Sequence, residues 1–408
     1  MERPQFEITL VRSPGEAWAD AVRAGLPAKP GLVSIEADGA CVQLGATGDL
    51  RAFAERRLIG ASGPATDLSS VSNRVRAVVL GSAFEADIAF LEWGRELIPE
   101  SYRAAADRWR GWFLRLDPES DVPVWRKTNL SEAVKDDRPD LAWSPSTIIG
   151  PMPTKDSAAK YGRALDSEFE LCREPKLLAQ RPDATACSYK EMGRCPAPCD
   201  GSEPIEAYRD RVRDAIAMAG SGPEAGVDAR LAAVEEAMTR AAAALHFEQA
   251  AELKVRGEAL KTLAGRSFRK VTTLDRFAAV LVLPSTRRGW CRVLTHVRGR
   301  TAWWADVGAQ SVKAAAEQLG AVLGPELGLQ GSQAGDWLNR AAVERIGLVC
   351  HAAAHPPRGP GRVIPVLGDS GPSNRAWSSI VRVMRAVCRA DVSETGSGDT
   401  EPEAIGER

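Results

Sequence analysis

The sequence predicts a multidomain protein in which α/β units flank a cysteine-rich segment and a helical hairpin. Three observations support this fold class. A chain of 408 residues exceeds one ordinary domain. Strand-like runs alternate with helix-like spacing near both ends, and four of the eight cysteines fall within 28 residues. We predict five segments: 1–105, 106–222, 223–266, 267–390 and 391–408.

Composition excludes some classes of protein. Apolar residues make up 44% of the chain and charged residues 26%, which is typical of a folded protein. Lys and Arg number 53 against 54 Asp and Glu, so a uniformly basic nucleic-acid coat is excluded and any basic surface must be local. No apolar run approaches a membrane span, and the first residues lack a secretory leader. We therefore expect no membrane association and a cytoplasmic protein with reduced cysteines.

The first segment, 1–105, has the pattern of a small α/β unit. Apolar runs at 32–35 and 41–44 surround an Asp-Gly turn, which predicts a β-hairpin. Asp49 is placed to cap a following helix, and a third strand-like run covers 75–80. Apolar residues at helical spacing over 85–98 predict a second helix.

The second segment, 106–222, is irregular apart from a strand at 112–116, a helix at 157–171 and a short charged helix before a Gly/Ser linker at 219–223. Its cysteines supply four soft ligands: Cys172, Cys187, Cys195 and Cys199. Thiolates in this number complete a tetrahedral zinc site or an iron–sulfur cluster. Only the last two cysteines are as close as in a zinc knuckle. Spacing alone therefore leaves a cluster, zinc or four ordinary buried thiols as alternatives.

The third segment, 223–266, has the clearest helical periodicity in the chain. Apolar residues recur at intervals of three and four over 228–264, with a break near His246. This predicts two antiparallel helices. Periodicity alone is compatible with an internal hairpin and with a partner-binding one.

The fourth segment, 267–390, begins with three strand-like runs at 278–283, 291–296 and 301–307, and a helix at 312–323 follows. Residues 266–390 carry 18 Lys and Arg against seven Asp and Glu, a local charge of +11. That excess supplies either phosphate contacts or a solvated face. Cys350, His351 and His355 lie close together in sequence but lack a fourth metal ligand. A loop is expected over 356–363, and the acidic segment 391–408 is expected to be disordered.

The stretch from Cys187 to Cys199 resembles the cysteine segment of the UvrC family, the incision subunit of the bacterial excinuclease. The family pattern is approximately C-L-x-Y-x-I-G-R-C-x-A-P-C. The matching residues are Tyr189, Gly193, Arg194, Cys195, Ala197, Pro198 and Cys199. The resemblance implies that the four cysteines carry a [4Fe–4S] cluster, with zinc (Zn) as the alternative.

Residues 244–256 resemble the UVR motif, through which UvrB and UvrC pair. The resemblance implies UvrB binding through seven residues: Leu245, Phe247, Glu248, Ala250, Ala251, Leu253 and Arg256. Small alanines allow close helix approach, and Phe247 is a large apolar anchor. Val255 and Gly257 depart from the motif, which prefers an acid and an aliphatic residue there.

Residues 26–105 resemble a GIY-YIG nuclease domain, beginning at an L-P-x-x-P-G motif. That family uses two tyrosines, a lysine, an arginine and a metal-binding glutamate. The positions that match the first four carry other residue types: Val33, Gln43, Ala46 and Phe53. Glu92 stands at the glutamate position as a remnant candidate, and we expect it to be an exposed helix residue. The resemblance implies a degenerate domain with no catalytic residues.

Residues 267–390 resemble a truncated RNase H-like α/β region, in which 367–371 is the only candidate acidic motif. Taken together, the resemblances imply a UvrC-like protein of bacterial nucleotide excision repair. It would bind UvrB without a nuclease of its own, and DNA would contact the Arg-rich region. Two alternatives are a divergent DNA-incising endonuclease using Glu92 and an iron–sulfur redox-responsive regulator that docks on a UVR-bearing partner.

Overall fold

The computed structural model describes residues 4–12, 17–59, 67–135, 138–139, 143–328, 337–356, 361–366 and 374–390. The acidic segment 391–408 and the acidic candidate at 367–371 lie outside the described residues, as do residues 357–360, half of the loop expected at 356–363. The loop expectation is wrong for Arg362 and Val363, which pair with the neighbouring strand as the start of a β-strand. Within the described ranges, helices and antiparallel sheets confirm the mixed α/β fold class. None of the helices described is long and apolar enough to span a membrane.

The N-terminal unit is an antiparallel sheet of order β1-β4-β2-β3 with helices packed against it. Its elements are β1 (Ile8–Val11), α1 (Trp18–Gly25), β2 (Gly31–Ala37), β3 (Ala40–Thr47), α2 (Leu50–Leu58), β4 (Arg74–Val79), α3 (Ala83–Leu97) and α4 (Pro99–Ala106). The predicted hairpin is confirmed, because Asp38 and Gly39 form its turn at φ +51° and +86°. The predicted cap is confirmed too: the Asp49 carboxylate accepts a 2.9 Å hydrogen bond from the Ala52 amide.

The middle region packs helices against a sheet of order β10-β9-β5-β6, in which β10 is the later strand Thr272–Thr273. Its elements are β5 (Trp112–Arg115), β6 (Arg126–Thr128), β7 (Val134–Lys135), β8 (Arg138–Pro139), β9 (Ile148–Met152), α5 (Lys155–Glu168), α6 (Pro175–Leu178), α7 (Ser188–Glu191) and α8 (Ile205–Gly220). The predicted strand at 112–116 and helix at 157–171 are confirmed within a few residues. This region contains the four candidate cysteines.

The linker predicted at 219–223 is wrong. Helix α8 continues through Ala219 to Gly220, both buried, and a π-helical turn leads directly into the next helix. The Gly220 carbonyl accepts hydrogen bonds from Thr272 Oγ1 (3.3 Å) and Arg276 Nη1 (3.0 Å). These hydrogen bonds satisfy a carbonyl group at the C-terminal end of α8. They hold in place glycines that, in the sequence alone, are typical of a linker.

The predicted helical hairpin is confirmed as α9 (Ala229–Ala243) and α10 (Phe247–Leu263). The C-terminal region then forms an antiparallel sheet of order β13-β12-β11-β14, with three helices packed against it. Strand β10 (Thr272–Thr273) precedes this region along the chain and belongs to the middle sheet. The elements of the C-terminal region are β11 (Ala278–Pro284), β12 (Trp290–Val297), β13 (Arg300–Gly308), α11 (Val312–Gly328), α12 (Arg340–Ala354), β14 (Arg362–Val366) and α13 (Asn374–Arg389). The three predicted strands and the helix that follows them are confirmed.

Hydrophobic cores cross the predicted segment boundaries. One core joins Phe90, Phe113, Leu281 and Val349, which come from the N-terminal, middle and C-terminal regions. A second core joins the middle region to the hairpin and includes Tyr161, Tyr208, Leu260 and Leu263. The segments therefore pack as neighbours, and their boundaries stay predictions.

The expectation that Glu92 is an exposed helix residue is wrong. Its side chain on α3 is one-quarter exposed and pairs with Arg345 on α12, with Oε1 2.6 Å from Nη2. Nearby, Arg292 joins the buried Glu85 (3.1 Å) to Asp306 (2.8 Å). The carboxylate that the sequence suggested as a metal ligand thus helps to join the N-terminal unit to the C-terminal region.

Candidate functional site

The four candidate cysteines lie in the loops between α5 and α8. Cys172 follows the end of α5, Cys187 precedes α7, and Cys195 and Cys199 follow it. Cys172, Cys195 and Cys199 are buried and Cys187 is half-buried, and all four are free of disulfides. Ala197, in the left-handed conformation at φ +61°, turns the chain between the last two cysteines.

Three of the four thiols have a raised pKa. Burial raises the pKa of Cys172 to about 12, and the other three thiols add to this rise. Burial also raises the pKa of Cys195 and Cys199, with Cys187 contributing to both. Grouped thiolates are stabilised by a metal, so the donor chemistry fits a zinc ion or an iron–sulfur cluster. Among the described residues, however, no three Cys, His, Asp or Glu side chains stand close enough together to hold a metal ion as they are.

Polar contacts fix the loops that carry the cysteines. The Cys172 amide donates a 3.2 Å hydrogen bond to the buried Tyr208 hydroxyl, which donates in turn to the Pro123 carbonyl. On the other side, Lys190 Nζ contacts Asp200 at 2.6 Å, which ties α7 to the turn after Cys199. Nothing in the sequence indicates that Tyr208 supports this loop, because Cys172 and Tyr208 are 36 positions apart.

The other candidate group in the sequence consists of Cys350, His351 and His355, at the C-terminal end of α12. Cys350 is buried on α12 against Gly111. His351 and His355 lie together, with ring centroids 4.7 Å apart. The described residues form no metal-holding group that includes these three side chains.

The hairpin tip, residues 244–255, exposes large apolar side chains. Leu245 is 70% exposed, Phe247 67% and Val255 45%. Other members of the predicted binding set lie around them: Glu248 and Ala251 are exposed, and Ala250 and Leu253 are half-buried. Exposed apolar side chains of this size surrounded by polar ones are typical of a protein-binding surface.

The turn between α9 and α10 holds Leu245 in the left-handed conformation, at φ +62°. The His246 amide donates to the Ala241 carbonyl (2.9 Å) and the Leu245 amide to the Ala242 carbonyl (3.1 Å), which is a Schellman motif. Glycine is the usual residue at this position, because a Cβ there is strained. The chain therefore keeps a strained leucine whose side chain faces solvent, as expected at a functional position.

Leu245→Gly is expected to stabilise the fold by about 0.5–1 kcal/mol, since it relieves the strain and loses little buried surface. Thermal unfolding followed by circular dichroism checks this. Ala244→Gly, one residue earlier and outside the left-handed position, is the control and is expected to be destabilising. An unchanged or lower melting temperature for Leu245→Gly would show that the leucine contributes to the fold.

Arg256 lies at the other end of the predicted binding set and has an internal partner. Its Nη2 lies 3.1 Å from Oε1 of Glu168, at the end of α5, and Arg230 on α9 contacts the same oxygen. The Glu168 side chain is completely buried. These contacts join both hairpin helices to α5. No sequence signal linked Glu168 to residues 62 and 88 positions away.

Comparison with known proteins covers both parts of the site. Residues 120–218, which include all four candidate cysteines, match the family described as UvrC/Cho excinuclease, middle domain. Residues 228–263, which include the hairpin tip and its contacts to α5, match the UvrB/uvrC motif. The resemblance to the UvrC family is confirmed.

Curated relatives are named UvrABC system protein C. One, from Natronomonas pharaonis, is 28% identical over 270 residues, which are 63% of this chain and 44% of the relative. Another, from Deinococcus radiodurans, is 36% identical over 121 residues, 29% of this chain and 19% of the relative. A third, from Sphingopyxis alaskensis, is 37% identical over 155 residues, which are 38% of this chain and 21% of the relative. The match to UvrC thus spans less than half the length of these relatives, and no solved structure matches the chain.

Proposed function

We propose that this UvrC-like chain acts in nucleotide excision repair by binding UvrB through the hairpin tip. One observation carries the proposal: the residues that match the UvrB/uvrC motif expose Leu245 and Phe247 at the free end of a hairpin, and Val255 halfway along α10. Internal packing buries the opposite end of the hairpin, at Leu260 and Leu263. The fold therefore holds the hairpin at one end and presents the other to a partner.

The test is complex formation between the purified full chain and purified UvrB. At micromolar concentrations of both, size-exclusion chromatography is expected to show a complex that elutes before either protein alone. Separate elution at every concentration tested would contradict the proposal. Bovine serum albumin, added in place of UvrB, controls for non-specific association through the exposed apolar residues.

For the cysteine loops, the proposal is that Cys172, Cys187, Cys195 and Cys199 hold a [4Fe–4S] cluster, with zinc as the alternative. Support comes from four free thiols, three of them buried, within the residues that match the UvrC/Cho excinuclease middle domain. When bound, the group would neutralise thiolates and connect loops that have little secondary structure. The chain's own residues, Tyr208 and Lys190 among them, position these loops.

Cys195→Ser is expected to remove the metal from the chain. After anaerobic purification, the unaltered protein should contain about four iron and four sulfide per chain, and the variant almost none. Cys41→Ser, which alters a half-buried thiol on β3, is the matched control and should keep the metal. One zinc per chain would support the alternative, and no metal in the unaltered protein would contradict both.

The degenerate GIY-YIG and truncated RNase H-like domains remain part of the proposal. Support for lost nuclease activity comes from Val33, which is fully buried in β2, and from Glu92, whose carboxylate pairs with Arg345. With UvrA and UvrB present, we expect the chain to leave a lesion-bearing duplex uncut. Incision that disappears in Glu92→Gln would support the divergent endonuclease instead.

DNA contact is proposed for the Arg-rich C-terminal region, whose local charge is +11. Guanidinium groups in excess of carboxylates bind phosphate without regard to base sequence. Binding of a duplex that weakens steeply as salt is raised would support this part of the proposal, and an absence of binding at low salt would contradict it.

A further inference from the structure

Helix α13 (Asn374–Arg389) carries a straight row of arginines on its solvent side. Arg375, Arg382, Arg385 and Arg389 are all exposed and recur at intervals of seven, three and four, so they follow one ridge of the helix. At 1.5 Å per residue the row is about 21 Å long. We call these four residues the arginine stripe.

The opposite side of α13 explains why the stripe faces outwards. Ile380, Val383, Met384 and Val387 are buried against the C-terminal sheet. Burial of this apolar face fixes the rotation of the helix, so the arginines cannot turn towards the core. The stripe is therefore a rigid surface.

The described residues do not balance the positive charge of the stripe. Helix α13 has no Asp or Glu in its sequence. In the part of the chain that the structure describes, no carboxylate pairs with any of the four arginines. The adjacent groove beside Trp377 contains one acid, Glu317, and also Lys313. Four guanidinium groups in a row at this spacing attract a polyanionic partner.

The chain itself contains a complementary segment. Residues 391–408, the acidic segment, begin two positions after Arg389 and contain six Asp and Glu against one Arg. At about 3.3 Å per residue they reach up to about 60 Å, enough to fold back along the whole stripe. Direct attachment raises the effective concentration of the segment at the stripe far above that of a free polyanion.

We infer that the acidic segment docks along the arginine stripe and screens it from other polyanions. The docking depends only on charge and reach, so it holds whether or not the chain binds UvrB or DNA. Where a nucleic acid does approach, it must displace the segment first. The segment thereby reduces non-specific binding to phosphate backbones.

The experiment measures how fast phenylglyoxal modifies Arg382 and Arg385 in the full chain, by peptide mass spectrometry at low salt. The test variant replaces Glu394, Asp399, Glu401 and Glu403 by their amides. We expect Arg382 and Arg385 to react at least about threefold faster in this variant, because the carboxylates that shield them are gone. Arg56 on α2 is exposed and serves as the internal reference.

A matched variant replaces four exposed glutamates elsewhere in the chain by their amides: Glu7, Glu100, Glu206 and Glu236. It changes the net charge equally and should leave the reactivity of Arg382 and Arg385 unchanged. In 1 M NaCl, where charges are screened beyond about 3 Å, the unaltered chain should react as fast as the test variant.

Equal rates in the unaltered chain and the test variant at low salt would overturn the inference, as would an equal increase in the matched variant. A final arm adds a single-stranded oligonucleotide. If it protects Arg382 and Arg385 in the unaltered chain while removal of the acids has no effect, the stripe is a nucleic-acid surface without the acidic segment as its occupant, and the inference is wrong.

Discussion

Phe247→Ala is expected to weaken UvrB binding at least about tenfold, because truncation of an aromatic anchor at the centre of an interface costs about 2 kcal/mol or more. The Phe247 ring is 67% exposed in the chain alone, so its removal takes little from the core. Isothermal titration of UvrB into the full-length variant gives the dissociation constant. The melting temperature of the variant should match that of the unaltered chain.

Val42→Ala is the matched control for this prediction. Val42 is 43% exposed on β3, far along the chain from the hairpin, and its truncation should leave UvrB affinity unchanged. If Phe247→Ala binds UvrB as tightly as the unaltered chain, the anchor has been wrongly identified. If affinity falls equally in Val42→Ala, the loss does not come from the hairpin tip.

Replacing Arg230 and Arg256 together by Met is expected to destabilise the fold by about 3 kcal/mol, because a buried carboxylate loses both of its countercharges. Glu168 has no exposed side-chain surface, so water cannot replace the guanidinium groups. Met keeps most of the apolar stem of each arginine, which confines the loss to the charge. Urea unfolding measures the difference in free energy.

Two controls accompany the double substitution. Arg240→Met removes an exposed pair with Glu236 and should cost less than about 0.5 kcal/mol. Adding Glu168→Gln to the double variant should restore much of the stability, since the uncompensated charge is gone. Unchanged stability of the double variant would show that Glu168 is not held in the way the structure indicates.

Local signals in the sequence were sufficient for much of the fold. The Asp38-Gly39 turn and the Asp49 cap depend on contacts within a few residues, so the residue types alone indicate them. The helical hairpin follows from periodicity in the same way. Each of these features involves residues that are close along the chain.

Features that depend on distant contacts could not be predicted. The glycines at 219–223 are typical of a linker, but Thr272 and Arg276 pack onto Gly220 from 52 and 56 positions away. Glu92 pairs with Arg345, 253 positions along the chain, and so is not the exposed residue that its helix suggested. A single sequence contains no pattern that connects such pairs.

The candidate site shows the same division. Cysteine spacing indicated the chemistry of the ligands, and the motif indicated which residues form the hairpin tip. That Arg256 pairs with Glu168, while Leu245 and Phe247 stay exposed, is visible only once the hairpin is packed on α5. The sequence therefore indicates candidate residues, whose roles in metal and partner binding stay predictions. It does not indicate which of them pack against the fold and which face solvent.

The most direct test of the central claim is hydrogen exchange of the full chain with and without UvrB, read by mass spectrometry. We predict that UvrB slows exchange in the hairpin tip, residues 244–255, with little change elsewhere in the hairpin. Unchanged exchange over 244–255, with protection appearing in another region, would contradict the claim that the hairpin tip is the docking surface.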